Sequence, residues 1–349
     1  MTGDLSRRAL LTAIGAAGLA SACSAPPAAA PPARKQAAQP RLEAVLAPVG
    51  PATVLLALDV TAPGRPGLES VLRELGDRLP RATATVAVGA ALFDGRFGLS
   101  APRRLAPMPA FRADVLDPAW CHGDLLVQVS GESADAVAAP LSPPVPGTHE
   151  RWRIAGHHPP SPDGAVRNLF GFREGSGNPD TGDAALMDRV VWIGPDDGEP
   201  GWCVGGTYQV VRLIALAMPT WDRETDQEHE RVFGRSKSTG APLGRVHETD
   251  RPDHAADPDG RVIGLDAHIR RANPGEPPRM LRRGYSYHRE SDAGQIFISY
   301  QRDPEHGFAT VQRRLAGEAL ERYTLPFGGG YFLALPHDDA FPGRAMLGA

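Results

Sequence analysis

The sequence predicts an α+β protein made of two related sheet-and-helix halves packed together. Three observations carry this. An apolar strand, an amphipathic helix and a second strand follow one another between Thr53 and Val88. A further apolar run stands at 124–129, and the same mixture returns after Tyr208, beyond a proline-rich interruption. Hydrophobic residues fill 42% of the 349 positions and charged residues 22%, enough to bury a sizeable core. The formal charge of -4, with no basic run interleaved with aromatics, argues against a nucleic-acid partner.

The elements are read in order. Ser6-Arg7-Arg8-Ala9-Leu10-Leu11 opens an uncharged stretch from Ala9 to Ala33. Its apolar part, 9–22, is shorter than the roughly 20 residues of a membrane-spanning helix. Paired arginines before such a segment mark twin-arginine export, with an Ala-rich Sec signal as the alternative. Leu19-Ala20-Ser21-Ala22-Cys23 also fits a lipoprotein cleavage site, which makes Cys23 a candidate lipid anchor. Residues 24–40 are mostly Ala and Pro and read as an extended tether. The expected organisation is therefore a signal and linker over 1–40 and folded halves over 41–160 and 161–349. The expected location is periplasmic, extracellular or attached to the cell envelope.

Thr53 to Val60 reads as a buried strand. Leu68, Val71, Leu72, Leu75 and Leu79 follow at helical spacing, and strands are expected at 84–88 and 124–129. Between Ala139 and Asp163 the many prolines and His157-His158 predict an irregular connection. Tyr208 to Met218 and Gln295 to Tyr300 are strand candidates. Thr225-Asp226-Gln227-Glu228 has capping-box spacing, opening a helix that ends at Gly234. Phe308, Val311 and Leu315 mark another helix. Beyond the leader only Cys121 and Cys203 remain; they can pair in an oxidising compartment or sit as buried small hydrophobes.

Four segments place glycine, arginine and histidine where periodicity breaks. Gly171-Phe172-Arg173-Glu174-Gly175-Ser176-Gly177-Asn178-Pro179 is either a ligand-cradling loop or a surface turn, because its glycines permit positive φ and close backbone approach. Around His268, Arg270 and Arg271 are placed to meet anionic groups and Asp266 to orient the imidazole; a satisfied core histidine is the alternative. Met280 to Tyr287 carries Arg282-Arg283 beside Gly284 and two tyrosines, and otherwise reads as a solvated edge strand. Val232 to Gly240 is basic and hydroxyl-rich, suited to an anion or to a plain loop. The 11 histidines form no His-Glu-x-x-His set, and no Gly-x-Ser-x-Gly elbow is present, so metal and serine hydrolases find no support.

Taken together these segments resemble the dye-decolourising (DyP-type) haem peroxidases, and among them the twin-arginine-exported branch associated with bacterial iron uptake. The resemblance runs from about Thr53 to Pro336. It is carried by Leu92 to Leu99, Arg167 to Gly175, Thr220 to Arg223, Val232 to Gly244, Ala267 to Pro274, Leu281 to Tyr287 and Tyr300 to Pro304, in the family's order. It implies two ferredoxin-like halves of the dimeric α+β barrel type, with one haem b per chain in the second half. His268 is then the iron's ligand, Glu174 and Arg282 the distal catalytic pair, and Gly175, Ser176, Gly177, Asn273, Pro274 and Gly275 line the haem. Arg235 is a propionate partner. It also implies hydrogen peroxide and a phenolic, dye-like or iron donor as reactants, iron-uptake proteins as partners, and a homo-oligomer. Handling of haem iron, oxidation of ferrous iron and non-catalytic haem binding are the alternative readings. The family's distal acid is normally aspartate. Glutamate has a similar reference pKa, about 0.4 unit away, but is one methylene longer, so Glu174→Asp is expected to raise peroxide reactivity.

Overall fold

Eight antiparallel strands close into a barrel. They are β1 (Ala52–Val60), β2 (Ala84–Gly89), β3 (Leu125–Gly131), β4 (Thr148–His157), β5 (Thr207–Leu216), β6 (Leu281–His288), β7 (Ala293–Gln301) and β8 (Thr324–Ala334). Their order around the barrel is β1-β3-β2-β8-β5-β7-β6-β4. The computed structural model describes residues 41–161, 163–290 and 292–348. The leader readings, Arg7-Arg8, Cys23 and the 24–40 tether, lie outside the described residues.

Each half is a four-stranded sheet with its fourth strand beside its first and its third beside its second: β4-β1-β3-β2 and β8-β5-β7-β6. This is the expected ferredoxin-like order, used twice. The halves join where β2 pairs with β8 and β4 with β6, so each second strand meets the other half's fourth. The predicted boundary at 160/161 falls between β4 and β5.

The period-2 alternation of the strands sends one face inward, where Leu55, Ala57, Ala87, Leu126, Trp152, Ile154, Val211, Leu213, Leu281, Ile296, Ile298 and Phe332 form the barrel core. Outside the first half, the helix Gly64–Arg78 buries Leu68, Val71, Leu72 and Leu75 against the opposite faces of β1, β2 and β3. In the second half, the helix Asp226–Phe233 packs Val232 and Phe233 with Phe170, Phe172, Trp221 and Tyr323. Its ends follow the sequence: Thr225 accepts from the Glu228 amide at 3.2 Å, and Gly234 closes it at φ 79°.

One expectation is corrected. Part of the stretch read as an irregular connection, 139–163, is β4, which pairs with β1 along its whole length. Large apolar residues in β4 are only Trp152 and Ile154, and the outward positions are charged. Arg151 reaches Asp59 of β1 at 2.9 Å, so the pairing is written in polar residues that an apolar-run reading passes over. Cys121 and Cys203 are both free and buried.

Candidate active site

The distal loop leaves β4 and is folded onto itself before it reaches Glu174. The Asn168 amide donates to Phe172 O at 3.0 Å, and the Glu174 amide donates to Val166 O at 2.9 Å. Phe172 stacks on Phe233 at 3.9 Å and Phe170 leans on Trp221 at 4.4 Å, fastening the loop to the helix Asp226–Phe233 and to Trp221 ahead of it. Gly171 turns it at φ 85°, where a Cβ would lie 2.6 Å from Lys237 Cε. The segment is a built loop rather than a plain surface turn.

Glu174 is half-buried and its carboxyl accepts from Gln295 Nε2 at 3.0 Å. Desolvation pushes this carboxyl above the ordinary glutamate range, against the pull of Arg282, Asn168, Gln295 and His268. Arg282 projects from β6, which is paired on both sides and is not an edge strand. Its amide donates to Asn178 Oδ1 at 3.0 Å, Asn178 Nδ2 donates back to Arg282 O at 2.9 Å, and its Nη2 donates to Ser176 O at 2.5 Å.

Arg235, just past Gly234, comes to the same place. A Cβ on Gly177 would lie 3.6 Å from Arg235 Nη2 and 3.9 Å from Arg282 Nη2. Among the described residues Arg235 donates to carbonyls, Gly240 O at 2.6 Å and Glu248 O at 3.4 Å. Burial lowers both guanidinium pKa values, and the charge of Arg282 lowers that of Arg235 further. Neither arginine forms an ion pair with a carboxylate among the described residues, whereas neighbouring arginines such as Arg173 and Arg231 do. Two partly buried cations side by side, with no carboxylate in contact among the described residues and only the more distant charges of Glu248 and Glu174 acting on them, define a place for an anion.

His268 opens the short helix His268–Ala272, and its Nδ1 lies 2.7 Å from Glu318 Oε2. This corrects the expectation for Asp266, whose carboxylate instead faces Arg231 at 3.2 Å. The arginines next to His268 are also engaged elsewhere. Arg270 pairs with Asp257 at 2.8 Å and Arg271 donates to Leu265 O at 3.0 Å, so both brace the preceding loop rather than await an anion. Nδ1 being taken, Nε2 is the nitrogen left to a metal. Asn273, Pro274 and Gly275 follow as an exposed turn in which Asn273 Oδ1 accepts from the Gly275 amide at 2.9 Å. The structure thus gathers Glu174, Gly175 to Gly177, Arg235 and Arg282, while 273–275 adjoin His268 through the chain alone. Glu318 and Gln295 carry no local pattern that marks them in the sequence, and Gly284 stands out there only as the glycine beside the arginine pair.

Residues 43–143 match the N-terminal domain of Dyp-type peroxidases and 165–339 the C-terminal domain. The chain belongs to the Dyp-type peroxidase family. It is 42% identical to the deferrochelatase of Escherichia coli O6:K15:H31, over 95% of this chain and 93% of that one. Among solved structures it resembles a DyP-type peroxidase from Cellulomonas bogoriensis (35% identity, TM-score 0.77, covering 86% of this chain and 94% of that one). It also resembles ferric DtpA from Streptomyces lividans (29% identity, TM-score 0.76, covering 86% and 94%).

As a Dyp-type peroxidase the protein is a haem-dependent oxidoreductase that uses peroxide to oxidise a donor. Its residues fit that group. No cluster of three or more His, Cys, Asp or Glu able to hold a bare metal ion occurs among the described residues. His268 with a spare Nε2, and two arginines without carboxylates, suit an iron porphyrin that brings its own ring nitrogens and its propionates.

Proposed function

We propose that His268 ligates the haem iron, that Arg235 and Arg282 face its anionic edge, and that Glu174 with Arg282 carries out the proton and charge work on peroxide, with phenolic or dye-like compounds as donors. The observation that carries this is a half-buried acid beside a guanidinium that no carboxylate contacts among the described residues, within electrostatic reach of a carboxylate-bound histidine. When bound, the haem supplies the iron that holds peroxide and takes up its oxidising equivalents. Glu174, desolvated and raised towards the working pH, is suited to take the proton from one peroxide oxygen and return it to the other. Arg282 cannot deprotonate at physiological pH and offers fixed positive charge where the O–O bond gains negative charge on breaking. Glu318 holds the His268 ring in one tautomer and orientation.

The test is spectroscopic first. Purified haem-loaded protein should show a Soret band that changes in His268→Ala; an unchanged band and ligation state would remove His268 from the iron. Loss of Glu174 as general acid–base, in Glu174→Gln, should slow peroxide consumption by about 10²–10⁴-fold.

The curated relatives named deferrochelatase support a second reading, in which the same site handles haem iron and leaves the porphyrin intact. Incubation of the haem-loaded protein under reducing conditions separates the two, since metal-free porphyrin fluoresces and oxidised donor does not form. The paired arginines at Arg7-Arg8 support export by the twin-arginine route to the periplasm, the outside or the envelope, and Cys23 supports a lipid anchor there. Iron-uptake proteins and further copies of the chain are the proposed partners. No helix among the described residues is long and apolar enough to cross a membrane.

A further inference from the structure

Behind Glu174 stands a side chain that no motif pointed to. Gln295, on β7, reaches past Gly284 of β6, and its Nε2 donates to Glu174 Oε1 at 3.0 Å. Its own Oε1 is buried and accepts nothing among the described residues. A Cβ on Gly284 would lie 2.5 Å from Glu174 Oε2, 2.5 Å from Gln295 Nε2 and 3.1 Å from Glu174 Cδ. The carboxyl group therefore packs on the bare Cα of Gly284 with the amide of Gln295 alongside. The longer acid has a seat of its own length.

A carboxylate only accepts hydrogen bonds, whereas a carboxylic acid also donates one. A group that shuttles a proton thus changes what it asks of its neighbours. A primary amide answers both demands, because turning it by half a revolution exchanges donor and acceptor with almost no change of shape. The groups that act on the Glu174 carboxyl are Gln295 from β7 and Asn168 from its own loop through hydrogen bonds, and Arg282 from β6 and His268 from the short helix through their charge. Arg282 can only donate. Asn168 has its Oδ1 committed to the Phe172 amide at 3.1 Å, so turning it would undo the loop. Gln295 is the neighbour with an unused acceptor.

We propose that Gln295 is a positioning residue for Glu174, holding the carboxylate through Nε2 and, turned over, the carboxylic acid through Oε1. The acid then keeps its place over Gly284 while its proton comes and goes. This rests on the reading of Glu174 as the distal acid, and the experiment separates the two.

Haem-loaded wild-type protein, Gln295→Leu, Gln295→Met and Glu174→Gln would be compared in two measurements. One is the pH profile of the reaction with peroxide. The other, without peroxide, is infrared titration of the carboxyl band that disappears in Glu174→Gln. Gln295→Leu and Gln295→Met are expected to move the infrared midpoint upward by about one pH unit, since the charge-assisted bond lost by the carboxylate is stronger than the neutral bond lost by the acid. The peroxide profile should move with it, and the neutral-pH rate should fall on the order of tenfold to a hundredfold as the acid drifts from its seat. The Soret band reports that each variant still holds haem, and two replacements of different shape guard against misfolding of either. Unmoved midpoints in both Gln295 variants, beside a slow Glu174→Gln, overturn the positioning role and leave Glu174 as the acid. A Glu174→Gln protein as fast as wild type overturns the underlying reading instead.

Discussion

His268 Nδ1 lies 2.7 Å from Glu318 Oε2, a contact that spans 50 residues of chain. A carboxylate on the far nitrogen makes an imidazole a stronger electron donor to a metal on the near one. Replacing Glu318 by glutamine keeps the hydrogen bond and removes the charge. Glu318→Gln is expected to raise the reduction potential of the bound haem, read by spectroelectrochemistry; an unchanged potential would mean that the contact only orients the ring.

The unpaired arginines give a second expectation. Arg235→Met removes one of the two cations beside Gly177 but leaves Arg282 and Glu174 in place. Charge-assisted hydrogen bonds are worth about 1.5–3 kcal/mol, so haem affinity should weaken by about 10- to 100-fold. Titration of haem into the haem-free variant measures this, and an unchanged Kd would take Arg235 away from the propionates.

Glu174 also makes the fold sensitive to pH. Its carboxyl is held above its ordinary value of 4.5 by desolvation. Between that value and the raised one, the folded state binds more protons than the unfolded state, so stability falls as pH rises through this window. Glu174→Gln, which never ionises, should therefore be the more stable haem-free protein at neutral pH. The advantage should vanish below the ordinary glutamate range. Thermal unfolding at both pH values checks the sign.

The sequence led to the expectation that Glu174→Asp would raise peroxide reactivity. The seat on Gly284 reverses that expectation. Shortening the side chain withdraws the carboxyl from Gln295 by about 1 Å, a displacement that can cost on the order of a hundredfold in rate. Stopped-flow mixing of Glu174→Asp with peroxide should show a slower reaction than wild type, and a faster one would mean that the loop follows the shorter acid inward.

What could be read from the chain follows from the range of the interactions. β1, β2, β3 and β5 announce themselves as apolar runs because both faces are covered, and β7 by Ile296, Ile298 and Tyr300 alternating on its core face. β4 carries charge on its outer face and β8 holds Gly328 to Gly330, so each is recognisable only from the strand beside it, while β6, with two arginines and a glycine, reads in the sequence only as a solvated edge strand. The loop of Glu174 and the segments of Arg235, His268 and Arg282 stand out by composition. Their partners do not: Glu318 and Gln295 act across 50 and 121 residues, and Asp266 loses His268 to Glu318 because the nearer carboxylate in sequence faces Arg231.

The repeated strand order has one more consequence. In the first half the outer surface of the sheet is sealed by the leucines of Gly64–Arg78, whereas in the second half the outer positions of β6 and β7 present Arg282, Gly284 and Gln295. One blueprint has thus been finished in two ways, as a wall and as a workshop. A cluster of half-satisfied polar groups is a burden on any fold, and here one half carries it while the other is sealed with leucines.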